Sequence, residues 1–365
     1  MKPLSLAVVF AASVALISPL HATNRAPAVS PPGGLTVAEV PQFVMLGFDD
    51  NPDVAPMRWI VDFMADQRNP VGQGRAATFD GAPARVAFYS NGIYFADTPG
   101  LPEIHVRAFA EGHEIGNHTQ HHHHGGTFTE AQWREEMELC REVLAGAGIP
   151  RAAMIGFRTP FLEYNAATFA ALAATGFTYD STIEEGDPPD QDGTNFLWPY
   201  TLDTGSPGNA LHVASEYREQ IAPQPGVWEI PLHVFMLPAD ADCARYGVKS
   251  GLRQRAHDNI LRDAGWEWSM EAGKITGLDW NVLEMAHLDG PDFLAILKYT
   301  LDLRLAGNRA PFMVGGHTAL YPTDKPDRRA AIEAFVTYAL SKPEVRLVTP
   351  TQVLAWLRKP VALAH

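Results

Sequence analysis

Cysteine is scarce in this chain, which has Cys140 and Cys243 among 365 residues. Because these two are far apart in sequence and no further thiol is present, a thiolate zinc site of the CxxC type is excluded. Any bound metal must therefore be held by histidine and carboxylate. The sequence does not place the two thiols close together, and we interpret both as structural.

Basic residues are also few, since 28 Lys and Arg stand against 42 Asp and Glu and give a net charge of −14. Proteins that bind nucleic acid normally present a basic surface, so we expect no nucleic-acid partner. A net negative charge is compatible with a neutral or a cationic ligand, so it does not identify the substrate. An apolar content of 46% excludes wholesale disorder. No feature indicates an oligomeric state.

Long apolar runs are missing except near the N-terminus, where Lys2 precedes an apolar segment from Leu4 to Leu20. A basic start, an apolar segment and a small residue at Ala22 are typical of a secretory signal peptide. A transmembrane anchor is the alternative, but the serines and the proline of the segment make it a weak span. We predict a cleaved signal peptide at 1–22, a secreted or periplasmic protein and no stable membrane insertion.

Beyond a Pro- and Gly-rich linker predicted at 23–42, apolar strands alternate with helical patterns. The apolar run Phe43–Phe48 predicts a strand covered on both faces, and Val54 to Met64 shows helical spacing. This alternation indicates an α/β fold with a parallel sheet, and about eight strands favour a distorted (β/α) barrel. Two stretches rich in Pro, Gly and Asp, 184–226 and 238–280, are predicted to be long irregular loop insertions.

Ionisable or metal-binding side chains follow five of the predicted strands. In a parallel barrel the carboxyl ends of all strands open on one face, where active sites are built. We therefore expect these side chains to converge. They are Asp49 and Asp50, Asn117 and His118, Arg158, Asp180, and His317.

Two of the histidines have the spacing of metal ligands. His118 and His122 are four residues apart, so one helical turn would place both imidazoles on one face. With Asp50 they match the carboxylate and two imidazoles of catalytic zinc sites, which keep a position open for water. Asp49 is the candidate base for that water, and His317 the candidate acid for the leaving group. The alternative for the histidine run alone is an adventitious metal site or an exposed polar turn.

Four segments carry a family resemblance. GFDDN, HTQHH, RTPF and GGHT occur in this order, each after a predicted strand. They resemble the motifs TFDDG, H-S/T-x-x-H, R-x-P-Y and L-x-H of the polysaccharide deacetylases of the NodB-homology group, carbohydrate esterase family four. The segments YDSTI, LWPYTLD and WEIPL are similar to the chitin-deacetylase-like branch of arthropods. The resemblance implies a NodB-type barrel and a catalytic domain at 43–358.

The resemblance also implies the metal centre. It assigns the base to Asp49 and the ligands to Asp50, His118 and His122, with Zn²⁺ as the expected ion and Co²⁺ among the other divalent metals that fit. Thr119 would steady the ligand loop by hydrogen bonding. The neighbouring His121, His123 and His124 are expected to lie in solvent or around the ligands rather than to bind the catalytic metal.

Further roles follow from the same resemblance. Arg158 would pair with the base and keep it ionised, and the backbone N–H of Phe161 would stabilise the oxyanion. His317 would be the acid, and Asp180 stands where the family has an acidic residue that tunes this histidine.

Some positions depart from the family motifs. Gly47 replaces Thr, Asn51 replaces Gly and Phe161 replaces Tyr, although a backbone role at position 161 survives the lost hydroxyl. Gly315 and Gly316 stand where an apolar residue commonly encloses the acetyl methyl. The acyl pocket then either admits a larger group or is closed by another side chain.

The resemblance implies a metal-dependent hydrolase that removes N-acetyl groups from a GlcNAc-containing glycan such as chitin. An O-acetyl esterase acting on xylan-type glycans, an amidase for a small cyclic amide and a non-catalytic glycan-binding protein are the alternatives. The signal peptide favours a glycan, and the presence of both proton carriers disfavours a pure binder. Tryptophans of the irregular stretches suit sugar rings, and Trp198 is the first candidate to line a sugar cleft.

Overall fold

The computed structural model describes residues 24–213 and 218–364, so the predicted signal peptide lies outside the described residues. The strands are β1 (Gln42–Asp50), β2 (Ala87–Ser90), β3 (Glu114–Asn117), β4 (Gly156–Phe157), β5 (Tyr179–Asp180), β6 (Glu184–Glu185), β7 (Tyr200–Thr201), β8 (Trp228–Glu229), β9 (Leu232–His233), β10 (Phe235–Met236), β11 (Lys274–Ile275), β12 (Phe312–His317) and β13 (Val345–Leu347). The helices are α1 (Val54–Met64), α2 (Leu101–Ala110), α3 (Glu130–Ala147), α4 (Ala166–Thr175), α5 (Pro207–His212), α6 (Asp240–Cys243), α7 (Leu252–Ala264), α8 (Gly290–Ala306), α9 (Pro326–Leu340) and α10 (Pro350–Arg358).

The main sheet is organised around β1. On one side of β1 lies β12, which runs parallel to it and places His317 opposite Asp49. On the other side lie β2 and β13, which also run parallel to β1. From β2 the sheet continues in parallel through β3, β4, β5 and β8, and β7 adds an antiparallel edge. Successive residues of β1 alternate between two apolar clusters, because Val44 and Leu46 face one and Phe43 and Met45 the other. Burial on both faces explains its continuous apolar run.

The segment from β11 to Leu278 links the two ends of the sheet. β11 pairs antiparallel with β10, which follows β8 and β9 along the chain. The same segment bridges to β12 through Leu278 and Gly315. The sheet is therefore curled into a half-barrel, and the predicted distorted α/β barrel is confirmed.

Both stretches predicted to be irregular contain regular elements, and in this respect the prediction was too simple. The longest is α7, which buries Leu252, Ala256 and Ile260 in a segment otherwise dense in arginine and aspartate. Its ends lie at Gly251 and Gly265, whose positive φ angles of 84° and 74° favour glycine. With only three buried positions among many charged residues, the apolar periodicity of this segment was too weak to predict a helix.

The described N-terminal residues lie against the sheet. The backbone N–H of Trp198 donates to the carbonyl of Ala28 at 2.9 Å, and the Arg25 N–H donates to Oγ1 of Thr201, also at 2.9 Å. Cys140 and Cys243 are both buried and neither is in a disulfide. Within 24–213 and 218–364, no helix combines the length and apolarity needed to cross a bilayer.

Trp198 does not line a cleft, so the first candidate for sugar stacking was wrong. Its side chain is fully buried, and its ring stacks against Trp356 with centroids 6.1 Å apart. Coverage by the N-terminal segment at Ala28 removes it from solvent. The exposed tryptophan beside the strand ends is instead Trp280, with 48% of its surface accessible.

The two tryptophans should therefore differ in their effect on stability. We expect Trp198→Ala to lower the free energy of unfolding by about 3–5 kcal/mol, because it leaves a large cavity in the core. Trp280→Ala should change it by less than about 0.5 kcal/mol, since its ring is half exposed. Denaturant unfolding followed by circular dichroism measures both values, and equal losses would contradict this assignment.

Candidate active site

The carboxyl ends of β1, β3 and β12 open on one cleft with a volume of about 520 Å³. Arg158, which directly follows β4, lies fully buried beneath it. The convergence predicted for the strand ends is thus confirmed for the candidate ligands, base and acid. The side chains lining the cleft include Asp49, Asp50, His118, His122, Phe161, Leu278, Trp280 and His317.

Asp50, His118 and His122 form a compact group. Oδ1 of Asp50 lies 3.4 Å from Nε2 of His118 and 3.1 Å from Nε2 of His122. The predicted helical turn was wrong, because residues 118–125 form an irregular loop. Left-handed backbone at Thr119 (φ 71°) and His122 (φ 55°) turns the second imidazole back toward the first. As predicted, Thr119 steadies this loop, since its Oγ1 accepts from the His122 N–H at 3.2 Å.

The tautomer of His118 favours a cation in this group. Its Nδ1 lies 2.8 Å from the carbonyl oxygen of Arg158, which can only accept, so Nδ1 carries the proton. In the neutral ring Nε2 then presents a lone pair to Oδ1 of Asp50, which is buried and has no well-formed hydrogen bond. Two acceptors facing each other need a proton or a metal ion between them.

The charge of Asp50 fits the same interpretation. Burial raises the pKa of this carboxyl, but positive charge beside it, supplied by the imidazoles of His118 and His122 when they are protonated, outweighs burial and holds the pKa well below its usual range. The ligand atoms of the three residues all lie within 4.8 Å of one another. One carboxylate and two imidazoles suit zinc and similar divalent metals. These residues therefore fit a divalent ion.

The candidate base, Asp49, is held by an ion pair with a buried arginine. Nη1 of Arg158 donates to Oδ1 of Asp49 at 2.8 Å, and both side chains are buried. Burial lowers the pKa of Arg158, but the Asp49 carboxylate raises it by more than burial lowers it. The guanidinium therefore keeps its charge. Its Nε donates to the Ser181 carbonyl at 2.7 Å, and its plane lies over the Tyr89 ring at 4.4 Å. Asp49 is thus held in place facing the cleft.

The candidate acid has a partner that the sequence did not indicate. Nδ1 of His317 lies 2.7 Å from Oδ1 of Asp279, whose Oδ2 accepts the His317 N–H at 2.8 Å. Burial lowers the pKa of His317, but the Asp279 carboxylate outweighs burial and raises the pKa to about 9. The prediction that Asp180 tunes this histidine was wrong.

Asp180 is fully buried and near enough to Arg158 for the guanidinium to lower its pKa, although burial has the larger effect. It accepts from the Thr182 hydroxyl and N–H at 2.7 and 3.0 Å, and burial raises its pKa to about 6. The adjoining Glu229 carboxyl is also buried, and burial together with the charge of Asp180 holds its pKa well above the usual range. Glu229 therefore keeps the proton and hydrogen-bonds Asp180.

Strained backbone concentrates at the cleft. Non-glycine residues with positive φ are uncommon and cluster at functional sites. Asn51, one of the departures from the family motifs, has φ 55° and is fully buried. Its amide donates to the carbonyls of Phe48 and Tyr89 at 2.9 and 3.0 Å, which fixes the turn after β1. The positive-φ residues around the cleft are Asp50, Asn51, Thr119, His122, Phe161 and Leu162.

The apolar wall of the cleft comes from a different segment than the family motif suggests. A Cβ at position 315 would lie only 2.3 Å from Cδ2 of Leu278, so the glycine makes room for this leucine. Leu278 and Trp280 both line the cleft, and Thr276 donates to Glu184 at 2.7 Å beside them. Sequence reasoning included Trp280 among several candidate tryptophans but did not identify Leu278 or Thr276, because they lie in a stretch predicted to be irregular. The only signal was the short apolar run around Asp279.

Comparison with known proteins supports the family resemblance. Residues 38–179 match the model of a family described as polysaccharide deacetylase. Chitin deacetylase 8 of Bombyx mori is 23% identical over 335 residues, which cover 91% of this chain and 74% of the relative. Chitin deacetylase 1 of Bombyx mori is 24% identical over 345 residues, 90% of this chain, and the chain spans about half of that relative, 53%.

Among solved structures, a family 4 carbohydrate esterase from Streptomyces lividans in complex with acetate is 21% identical, with a TM-score of 0.30. The match covers 49% of this chain and 76% of the esterase. The match of residues 38–179 to the family model confirms the resemblance to the polysaccharide deacetylases.

The ligand group generates a prediction about metal affinity. Asp50→Asn removes the charged ligand while keeping its shape, so we expect Zn²⁺ to bind more weakly by at least about tenfold. Competition with a chromophoric chelator measures this affinity. Asp53→Asn is the matched control, because Asp53 is an exposed acidic residue three positions away. Equal affinities of the two variants would exclude Asp50 as a ligand.

Proposed function

We propose that this protein, whose residues 38–179 belong to the polysaccharide deacetylase family, is a metal-dependent hydrolase that removes N-acetyl groups from a chitin-type glycan. The observation that carries the proposal is the pairing of Asp49 with His317 across β1 and β12. This register supports the proposal, because Asp49 as base and His317 as acid would then act side by side at the cleft that Asp50, His118 and His122 also line.

Each residue has a distinct task in this reaction. A divalent ion held by Asp50, His118 and His122 would supply Lewis acidity to the scissile carbonyl and to water. Asp49, held in place by Arg158, accepts the proton of the attacking water.

The second half of the reaction needs an oxyanion donor and an acid. The backbone N–H of Phe161, in a strained turn at the rim, is the proposed donor to the oxyanion. Protonated His317, held by Asp279, donates to the departing amine. An amide nitrogen is a poor leaving group without such a proton, and a histidine with a pKa of about 9 carries it at neutral pH.

The shape of the cleft supports an acetylated sugar as substrate. Leu278 occupies the space left open by Gly315, which favours the acetyl-sized pocket over one for a larger acyl group. The half-exposed Trp280 offers an aromatic face for a sugar ring, and the polar pair of Glu184 and Arg218 offers hydrogen bonds to its hydroxyls. The predicted signal peptide, which implies secretion, fits a glycan outside the cell.

Acetate release tests the proposal directly. Chitin oligomers, acetylated xylan and peptidoglycan would be incubated with the protein, with and without a chelator. We expect release from chitin oligomers that the chelator abolishes, and Asp49→Asn should reduce it by about 10²–10⁴-fold because the base is lost. Stronger release from xylan would favour the O-acetyl esterase. Full activity of Asp49→Asn would contradict the mechanism, and metal binding without release from any substrate would favour a glycan-binding protein.

The pH dependence separates the two candidate partners of the acid. The acid form of His317 is present below its pKa of about 9, so kcat/KM should fall as the pH rises through this value. Asp279→Asn removes the carboxylate that raises this pKa and should move the alkaline limb to lower pH. Asp180→Asn is the control, since Asp180 binds Thr182 and should leave the limb in place. A shift in Asp180→Asn alone would restore the role first assigned to Asp180.

A further inference from the structure

We propose that His121, His123 and Glu136 form a second transition-metal site beside the catalytic one. One nitrogen from each imidazole and one oxygen of Glu136 all lie within 4.8 Å of one another. In the described part of the chain, the only other group that meets this distance is that of Asp50, His118 and His122. The proposal does not depend on the catalytic function.

The backbone of the ligand loop separates the two groups. His122 adopts the left-handed conformation and directs its ring to Asp50. The flanking His121 and His123 lie together apart from it, with ring centroids 5.2 Å apart and planes at 18°. Adjacent histidines are thus divided between two carboxylates, Asp50 on β1 and Glu136 on α3.

Glu136 is prepared for a ligand role. Its side chain is only 10% exposed, although it is a carboxylate on a helix surface. Oε2 accepts the backbone N–H of His121 at 2.8 Å, and Oε1 lies 2.7 Å from Nδ1 of the same residue. The backbone bond fixes the carboxylate against the loop and leaves Oε1 directed at the imidazole. A metal ion can replace the proton between Oε1 and Nδ1 without moving either chain segment far.

The accessibility of the two histidines lets an ion enter. His121 has 37% of its side chain exposed, and His123 is exposed. His124 does not complete the set, because its Nδ1 is held by Glu163 at 2.8 Å and its ring stacks on Phe161 at 3.9 Å. Water would therefore fill the remaining coordination positions.

The donor set determines the class of cation. Two imidazoles and one carboxylate suit Zn²⁺, Ni²⁺ or Cu²⁺, whereas Ca²⁺ and Mg²⁺ prefer oxygen ligands alone. A net charge of −14 raises the local concentration of cations. Binding should be weaker than at Asp50, because the exposed ring of His123 loses rotamer freedom and His121 must give up its hydrogen bond. An ion bound here would tie the catalytic ligand loop to α3.

Metal stoichiometry of the full chain tests the site. Chelator-treated protein would be titrated with Zn²⁺ by calorimetry, and the bound metal measured by mass spectrometry after desalting. We expect two ions for each wild-type chain, one tight and one weaker. The double variant His121→Ala/His123→Ala should lose the weaker ion, and His118→Ala/His122→Ala should lose the tight one. Circular dichroism would establish that each variant is folded.

Two further variants sharpen the result. Glu136→Gln keeps the size and the hydrogen bond from the loop but removes the charged ligand, so it should also lose the weaker ion. His287→Ala is the control, because His287 is an exposed histidine paired with Asp263 elsewhere on the surface. It should still bind both ions. A single ion in wild type, a second ion retained without His121 and His123 or without the Glu136 carboxylate, or its loss in His287→Ala would each overturn the proposal.

Discussion

The arrangement of the cleft depends on one buried cation, the guanidinium of Arg158. Its side chain binds Asp49 at the end of β1 and the Ser181 carbonyl after β5, and it lies over Tyr89 of β2. Its own carbonyl orients His118. A single residue thereby connects the base and a candidate ligand. Because a buried charge without its partner costs about 3–5 kcal/mol, Arg158 and Asp49 constrain each other strongly.

This constraint explains why the sheet and the site are inseparable. Asp49, Asp50 and His317 reach the cleft because β1 and β12 are parallel and in register. A shift of one residue would reverse which side chains face the cleft and which face the core. The alternating burial of β1 in two apolar clusters prevents such a shift. The hydrophobic pattern of β1 thus positions its two carboxylates.

Residues that follow apolar strands were predictable from the sequence, and residues held by loops were not. Asp50, His118 and His317 were identified because strand ends in a parallel sheet share one edge. Asp279 was missed, and Trp280 was only one of several candidate tryptophans, because their placement depends on the bridge between Leu278 and Gly315, a contact between distant segments. Asp180 was assigned to the cleft because it ends a strand, and Trp198 because it lies in a long irregular stretch and an aromatic face suits a sugar ring. Burial, which sequence alone does not report, removes both from it.

The histidine run shows how tertiary structure divides a uniform sequence. In a run of identical side chains, the sequence itself does not show which histidine binds a metal ion and which does not. The fold separates them by placing a carboxylate from each of three different chain segments beside them. Asp50 faces His118 and His122, Glu136 holds His121, and Glu163 holds His124. Because a neutral imidazole needs a partner that accepts its proton or a metal that accepts its lone pair, the position of each carboxylate decides the chemistry of the histidine beside it.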